Sequence, residues 1–262
     1  MTVIKVFEKP KLKDPVLIEG LPGVGNIGRI AVGYLVDELK AKKFATLYSE
    51  WFFPFVMLSE RYMVHLLKND FYYYKAKTQN QRDIIFLVGD CQSLSPQGHY
   101  EVMEKVLDLV ESLGVKEIIT VGGLATGELE KASVIGATTD KQTMEKYKKY
   151  GIDFNASDKV GYIVGAAGLL LGLGKERGMS GLCILGQTTG FPIVTDPRAA
   201  ESVLNILLKI LNLEIDMSKL EKKVKEMEDF IKKIEMLQKK AISEISKPPQ
   251  EKPAKDELRY IG

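Results

Sequence analysis

From residue 16 to about 212, short aliphatic or β-branched runs alternate with amphipathic segments. Val16-Leu17-Ile18-Glu19 predicts a strand, residues 26–40 a helix, and residues 44–48 a second strand. Residues 83–88 and 117–121 are apolar enough for strands buried on both faces. Between them, residues 100–113 carry a helical period closed by Gly114. A strand over 132–138, helices over 141–150 and 166–177, and a last core strand over 182–185 continue the pattern. Asp196-Pro197 then opens a helix that runs to Leu211, with aspartate as N-cap and proline at the first helical position. This alternation predicts an α/β fold of three layers with a mostly parallel sheet.

Beyond Met217 the rhythm changes. Met217, Leu220, Val224, Met227, Ile231 and Ile234 are spaced 3-4-3-4-3, and Gln238, Ala241 and Ile245 continue the stripe. Nearly all the intervening positions are charged. A heptad stripe of this length predicts a helix of roughly 40 Å. Such a helix either lies back on its own core or projects and self-associates. Isoleucine at both kinds of seam position favours assemblies larger than a parallel dimer, a tetramer first. Pro248 ends it. The expected organisation is therefore an α/β core over 1–213, a projecting or coiled-coil helix over 214–246, and a proline-rich spacer with a binding tail over 247–262.

Composition narrows the function classes. Hydrophobic residues make up 45% of 262, enough to bury a real core, and the net charge of +2 is mixed along the chain. No basic stripe is present to hold nucleic acid. The longest nearly apolar stretch, residues 162–174, is too short and glycine-rich to span a bilayer. The first residues, Met1-Thr2-Val3-Ile4-Lys5, lack the basic and apolar regions of a signal peptide. Two distant cysteines, Cys91 and Cys183, fit a reducing compartment, so a cytoplasmic location is expected.

Chemistry-bearing motifs are sparse. Gly23, Gly25 and Gly28 satisfy G-x-G-x-x-G between a strand and a helix, and Glu50 lies where a ribose-binding acid would follow. The competing reading is a tight strand-to-helix turn in which glycines allow close backbone packing. A phosphate loop is excluded, because Arg29 and Ile30 replace the required Lys and Ser/Thr. Cys91 and His99 could form a thiolate–imidazole pair, or be a buried thiol and a surface imidazole. His65 sits in an apolar run, and two histidines with two cysteines make a soft-metal site improbable. Glycines at 122–123, 165–168 and 190 supply backbone amides but few reactive groups, and no acid–base pair stands out. No cofactor, catalytic residue or metal is expected. The segment Trp51-Phe52-Phe53-Pro54-Phe55-Val56-Met57 reads either as core or as a hydrophobic interface.

The last residues, Leu258-Arg259-Tyr260-Ile261-Gly262, follow the spacer Lys247-Pro248-Pro249-Gln250-Glu251-Lys252-Pro253. A tyrosine near a terminal carboxylate on an extended tether offers one ring, one hydroxyl and one charge for a partner's pocket.

Taken together, the run from Gly20 to Gly28, the Val121-Gly122-Gly123 strand end, and Leu185-Gly186-Gln187-Thr188-Thr189-Gly190-Phe191 with Asp196-Pro197-Arg198-Ala199-Ala200 resemble the archaeal homologues of the proteasome assembly chaperones. The resemblance covers residues 10 to about 213. It implies a phosphorylase-like core without a nucleotide requirement and association with proteasome α-subunits. The chain end is similar to the hydrophobic–Tyr–X tails by which activators enter pockets between α-subunits. Tyr260 stands third from the end rather than second, and Arg259 takes the hydrophobic place. The resemblance thus implies a non-enzymatic assembly chaperone or ATP-independent activator, a homo-oligomer docking through Leu258, Tyr260, Ile261 and Gly262. The alternative from the glycine turn alone is a nucleotide- or nucleoside-handling enzyme.

Overall fold

A computed structural model describes residues 1–58, 62–126, 133–155, 161–188 and 195–225. Residues 1–224 form one compact unit. Its centre is an eight-stranded sheet in the order β1-β3-β6-β7-β2-β8-β10-β9. These strands are β1 (Thr2–Val6), β2 (Val16–Gly20), β3 (Lys42–Ser49), β6 (Asn69–Tyr74), β7 (Ile84–Gly89), β8 (Glu117–Ala125), β9 (Val134–Thr138) and β10 (Ser180–Thr188). A separate two-stranded ribbon joins β4 (Val56–Leu58) to β5 (Val64–Leu66).

The sheet is mixed. Strands β7, β2, β8 and β10 are parallel at its centre, while β1, β3, β6 and β9 attach through antiparallel pairings. Counting directions around these pairings, five of the eight strands run one way. The central strands carry the apolar runs, as strands covered on both faces must.

Successive side chains of a strand point to opposite faces, so each run fills two cores. Ile18, Phe86, Ile119 and Ile184 pack under α1 (Ile27–Glu38) and α5 (Pro197–Leu211). Leu17, Ile85, Leu87 and Ile118 pack under α2 (Pro96–Ser112) and α4 (Gly165–Glu176) on the other side. Phe86 is fully buried, which contributes about 1.5–3 kcal/mol relative to leaving it in water. The short α3 (Lys141–Tyr147) follows β9.

Caps fix the helix starts. The Ser95 hydroxyl accepts from the Gly98 N–H at 3.0 Å, with Pro96 at the first position, so α2 starts a full turn before the apolar period begins. Asp140 caps α3 by accepting from the Thr143 N–H at 2.8 Å. Asp196 caps α5 by accepting from the Arg198 and Ala199 N–H groups, each at 3.1 Å. Asn212, in the left-handed conformation, closes α5.

The first part of the heptad stripe serves this core. Leu220 is fully buried in the layer of α1 and α5, with Met217 packed beside it. The Tyr34 hydroxyl donates to the Asp216 carbonyl at 2.8 Å, and Lys219 pairs with Glu38 at 2.8 Å. The rest of the stripe, from Met227 to Ile245, lies outside the described residues.

Candidate functional site

The glycine turn lies where a ligand would bind in an open parallel sheet, beyond the carboxyl ends of β2 and β8. Gly25 has φ of 63° and Asn26 φ of 51°, two left-handed residues in succession that swing the chain from β2 into α1. A Cβ on Gly20 would strike the Gly28 carbonyl and Val32, one on Gly28 the Val121 carbonyl, and one on Gly123 the Val24 carbonyl. Gly20, Gly28 and Gly123 are thus consumed in laying the first turn of α1 against β2 and β8, whereas a Cβ on Gly23 would meet only Gln92 Nε2, at 3.9 Å.

One side chain and one backbone amide clasp the turn further. The Gln92 amide donates to the Pro22 carbonyl at 2.7 Å, and the Asp196 N–H donates to the Gly25 carbonyl at 2.9 Å. Asp196 also accepts from the Thr188 hydroxyl at 2.8 Å. Glu50 lies just past the end of β3, and β6 and β7 separate β3 from β2. Three strand spacings amount to about 14 Å, so Glu50 is not placed beside the turn as a ribose-binding acid would be. The close-packing reading describes this turn.

Cys91 and His99 do not form a nucleophile pair. Burial, with the Asp90 charge beside it, pushes the Cys91 thiol up to about 11. His99 engages other partners: Nδ1 lies 3.0 Å from the Ser95 carbonyl and Nε2 3.3 Å from Gln92 Oε1. Gln92 Oε1 also accepts from the Ala166 N–H at 2.9 Å, so this one side chain ties the turn, α2 and the start of α4 together. Cys183 is fully buried and pushed up to about 12 by that burial. No group of three His, Cys, Asp or Glu with metal-ligating geometry occurs among the described residues.

Glu19 was not singled out by sequence. It is 1% exposed and burial pushes its carboxyl up to about 8. Oε1 accepts from the Leu21 N–H at 2.8 Å, while Oε2 has no hydrogen-bond partner among the described residues. The only signal was its place at the end of an otherwise apolar strand.

The aromatic segment divides between the two readings offered for it. Trp51 donates through its indole N–H to Glu101 at 2.8 Å, and Phe52 is buried in the layer of α2 and α4. From Phe53 onward the side chains face water. Phe53 and Phe55 rings lie 5.6 Å apart and, with Val56 and Leu66, line a groove of about 500 Å³. His65 is half-buried on β5, opposite Met57. The tail residues Leu258, Tyr260, Ile261 and Gly262 lie outside the described residues. No helix among the described residues is long and apolar enough to cross a membrane.

The molecule described so far has relatives. An uncharacterised protein of Methanocaldococcus jannaschii is 39% identical over 260 residues, 98% of this chain and 96% of that one. The crystal structure of Pyrococcus furiosus PbaB, an archaeal proteasome activator, is 44% identical with a TM-score of 0.85, covering 89% of this chain and 98% of that one. Pyrococcus furiosus PbaA, an archaeal homolog of proteasome-assembly chaperone, shares the fold, with a TM-score of 0.71 at 24% identity. It covers 92% of this chain and 99% of that one. The family model described as PAC2 matches residues 17–235, most of the sequence and nearly all of the sheet, and the chain belongs to the PAC2 family.

Proposed function

We propose that the chain is a non-enzymatic proteasome-binding protein, an assembly chaperone homologue or ATP-independent activator that docks on the α-ring of the 20S particle. The observation that carries this reading is its 44% identity with an archaeal proteasome activator along 98% of that chain. The backbone approaches at Gly20, Gly28 and Gly123 give the glycine turn a packing role, in keeping with a body that acts by association.

Docking is assigned to Leu258, Tyr260, Ile261 and Gly262. Tyr260 packs its ring against a pocket wall and Leu258 adds apolar contact. One such tail binds weakly. A cytoplasmic homo-oligomer larger than a dimer, with four chains favoured, presents several tails at once and gains avidity where their spacing matches the ring's pockets.

A pull-down of 20S particles with the full chain and with a form lacking residues 258–262 tests this reading. The intact protein should retain the particle and the shortened one should not, at equal thermal stability. Equal retention by both would defeat the assignment of the tail, and no retention by either would defeat the proteasome reading itself.

A further inference from the structure

At the β9 edge of the sheet, α4 and β9 leave a cavity of about 550 Å³ between them. Ile135 and Ala137 of β9, Leu185 of β10 and Leu171 of α4 line it with apolar side chains. Ile163, whose carbonyl lies against Gly168, and Phe154, whose ring lies against Gly136, close it further. Gly172 of α4 also lines it, and a Cβ there would meet no atom within 4 Å, so the side of the helix is left open. From Gly168 to Lys175 the cavity follows α4 for seven residues, roughly 10 Å.

Polar groups gather at one end. The Thr138 hydroxyl donates to the Asp140 carbonyl at 3.0 Å, and the Thr139 hydroxyl to the Asp140 carboxylate at 2.8 Å. That carboxylate also accepts from the Thr143 N–H at 2.8 Å and the Thr143 hydroxyl at 2.7 Å, so these groups are committed to one another. Lys175 is not. It lines the same end in the last turn of α4, is exposed, and forms no ion pair with a described residue. We propose that this cavity binds an apolar monocarboxylate, an acid roughly 10 Å long whose chain lies along α4 and whose carboxylate meets Lys175.

The lining selects this class of ligand. Small-molecule sites are clefts of about 300–1,000 Å³, mostly apolar, with a few polar groups that fix orientation. A nucleotide or sugar would bring many polar groups onto an apolar floor that cannot bond them. A neutral hydrocarbon would leave the ammonium unused, and an organic cation would be repelled by it. The last carbonyls of α4 accept from the Arg177, Gly178 and Met179 N–H groups, which blunts the negative end of the helix where the acid's charge would lie. At about 1.2 Å per bond along an extended chain, an acid of about eight carbons spans the groove. The inference concerns the body of the molecule and stands apart from docking by the tail.

Calorimetric titration of the full chain with octanoate tests this, with octanol and octylammonium as neutral and cationic controls. Octanoate should bind once per chain, raise the melting temperature, and outbind either control by at least about tenfold. Gly172→Leu fills the groove at a helical position that leucine favours over glycine, so the body should fold, as its melting curve would verify, and octanoate binding should be lost. Lys175→Glu should weaken octanoate at least about tenfold and bind octylammonium more tightly than the unaltered chain does, a gain that misfolding does not produce. The proposal is overturned by octanoate that fails to saturate a site, or by binding that survives Gly172→Leu or Lys175→Glu unchanged. Survival in both variants would place the acid elsewhere, first among the exposed apolar residues between Phe53 and Leu66.

Discussion

The Cβ that Gly28 lacks would point into the carbonyl oxygen of Val121. That approach sets how closely α1 lies on β8, because neither backbone can yield without moving a helix or a central strand.

Gly28→Ala should therefore destabilise the protein by about 1–3 kcal/mol through overpacking. Gly25→Ala should cost about 1 kcal/mol or more for another reason, the positive φ at that position. Gly33, also on α1, has no atom within 4 Å of where its Cβ would stand. Gly33→Ala should stabilise by about 0.5–1 kcal/mol through helix propensity alone. Urea unfolding of the three variants checks the ranking, and a harmless Gly28→Ala would refute the packing account of the turn.

Glu19 should make stability fall with rising pH. Its carboxyl moves from an ordinary value of 4.5 to about 8 when folding buries it. Between those values the native state keeps a proton that the unfolded chain has released. The stabilisation from this group is complete below about pH 4.5, declines through the window and is gone above about pH 8. The decline amounts to on the order of 5 kcal/mol. Glu19→Gln should remove it. Denaturation midpoints measured from about pH 5 to pH 8.5 decide the matter, since parallel curves for the two proteins would dismiss Glu19 as the source.

Glu117, at the opposite end of the sheet, should act with the reverse sign. Burial raises its pKa, but bonds from Lys146 at 2.6 Å and Tyr147 at 2.5 Å, with the Arg82 guanidinium, outweigh burial and hold it below the ordinary value. Its stabilisation is present above the ordinary carboxylate range and lost as pH falls through the folded pKa. Glu117→Ala leaves the buried Tyr147 hydroxyl without its acceptor, while Arg82 keeps Asp14 and Lys146 is half in water, and should cost about 1–3 kcal/mol. Tyr147→Phe removes one bond to a charged acceptor and should cost about 1.5–3 kcal/mol. Thermal unfolding in the Glu19→Gln background separates the two opposing slopes.

Much of the central sheet was legible because its strands are covered on both faces and read as unbroken apolar runs. Residues 83–88 and 117–121 mark β7 and β8 for that reason. The flanks were not. β6 carries Asn69, Asp70 and three tyrosines, a half-buried composition without clean alternation, and β1 begins at the second residue with no flanking turn signal. Missing these strands hid the antiparallel side of the sheet. β8 extends to Ala125 because Gly122 and Gly123, which resemble a strand's end in sequence, remain paired with Leu185 and Gly186. At the candidate sites, spacing placed the glycine turn correctly but said nothing of what faced it. That depends on β8, a hundred residues away in sequence. Glu19 was overlooked because a strand's terminal carboxylate usually reaches water, and only the packed layers show that this one does not.

For the tail, Tyr260→Ala should abolish retention of 20S particles and leave the melting temperature of the body unchanged. Tyr260→Phe should bind more weakly than the intact chain and more tightly than the alanine variant if the hydroxyl meets a polar group in the pocket. Because several tails act together, the loss on removing all of them should exceed what one isolated tail peptide binds with. Competition by a free peptide of residues 247–262 measures that difference, and a peptide as potent as the whole protein would argue against multivalency.

The hydrogen bond between Thr188 and Asp196 holds together the two ends of the segment over 189–194, one at the close of β10 and the other at the cap of α5. One carboxylate thus serves both as the cap of α5 and as the clasp on β10, so the start of that helix and the end of that central strand are held in fixed relation.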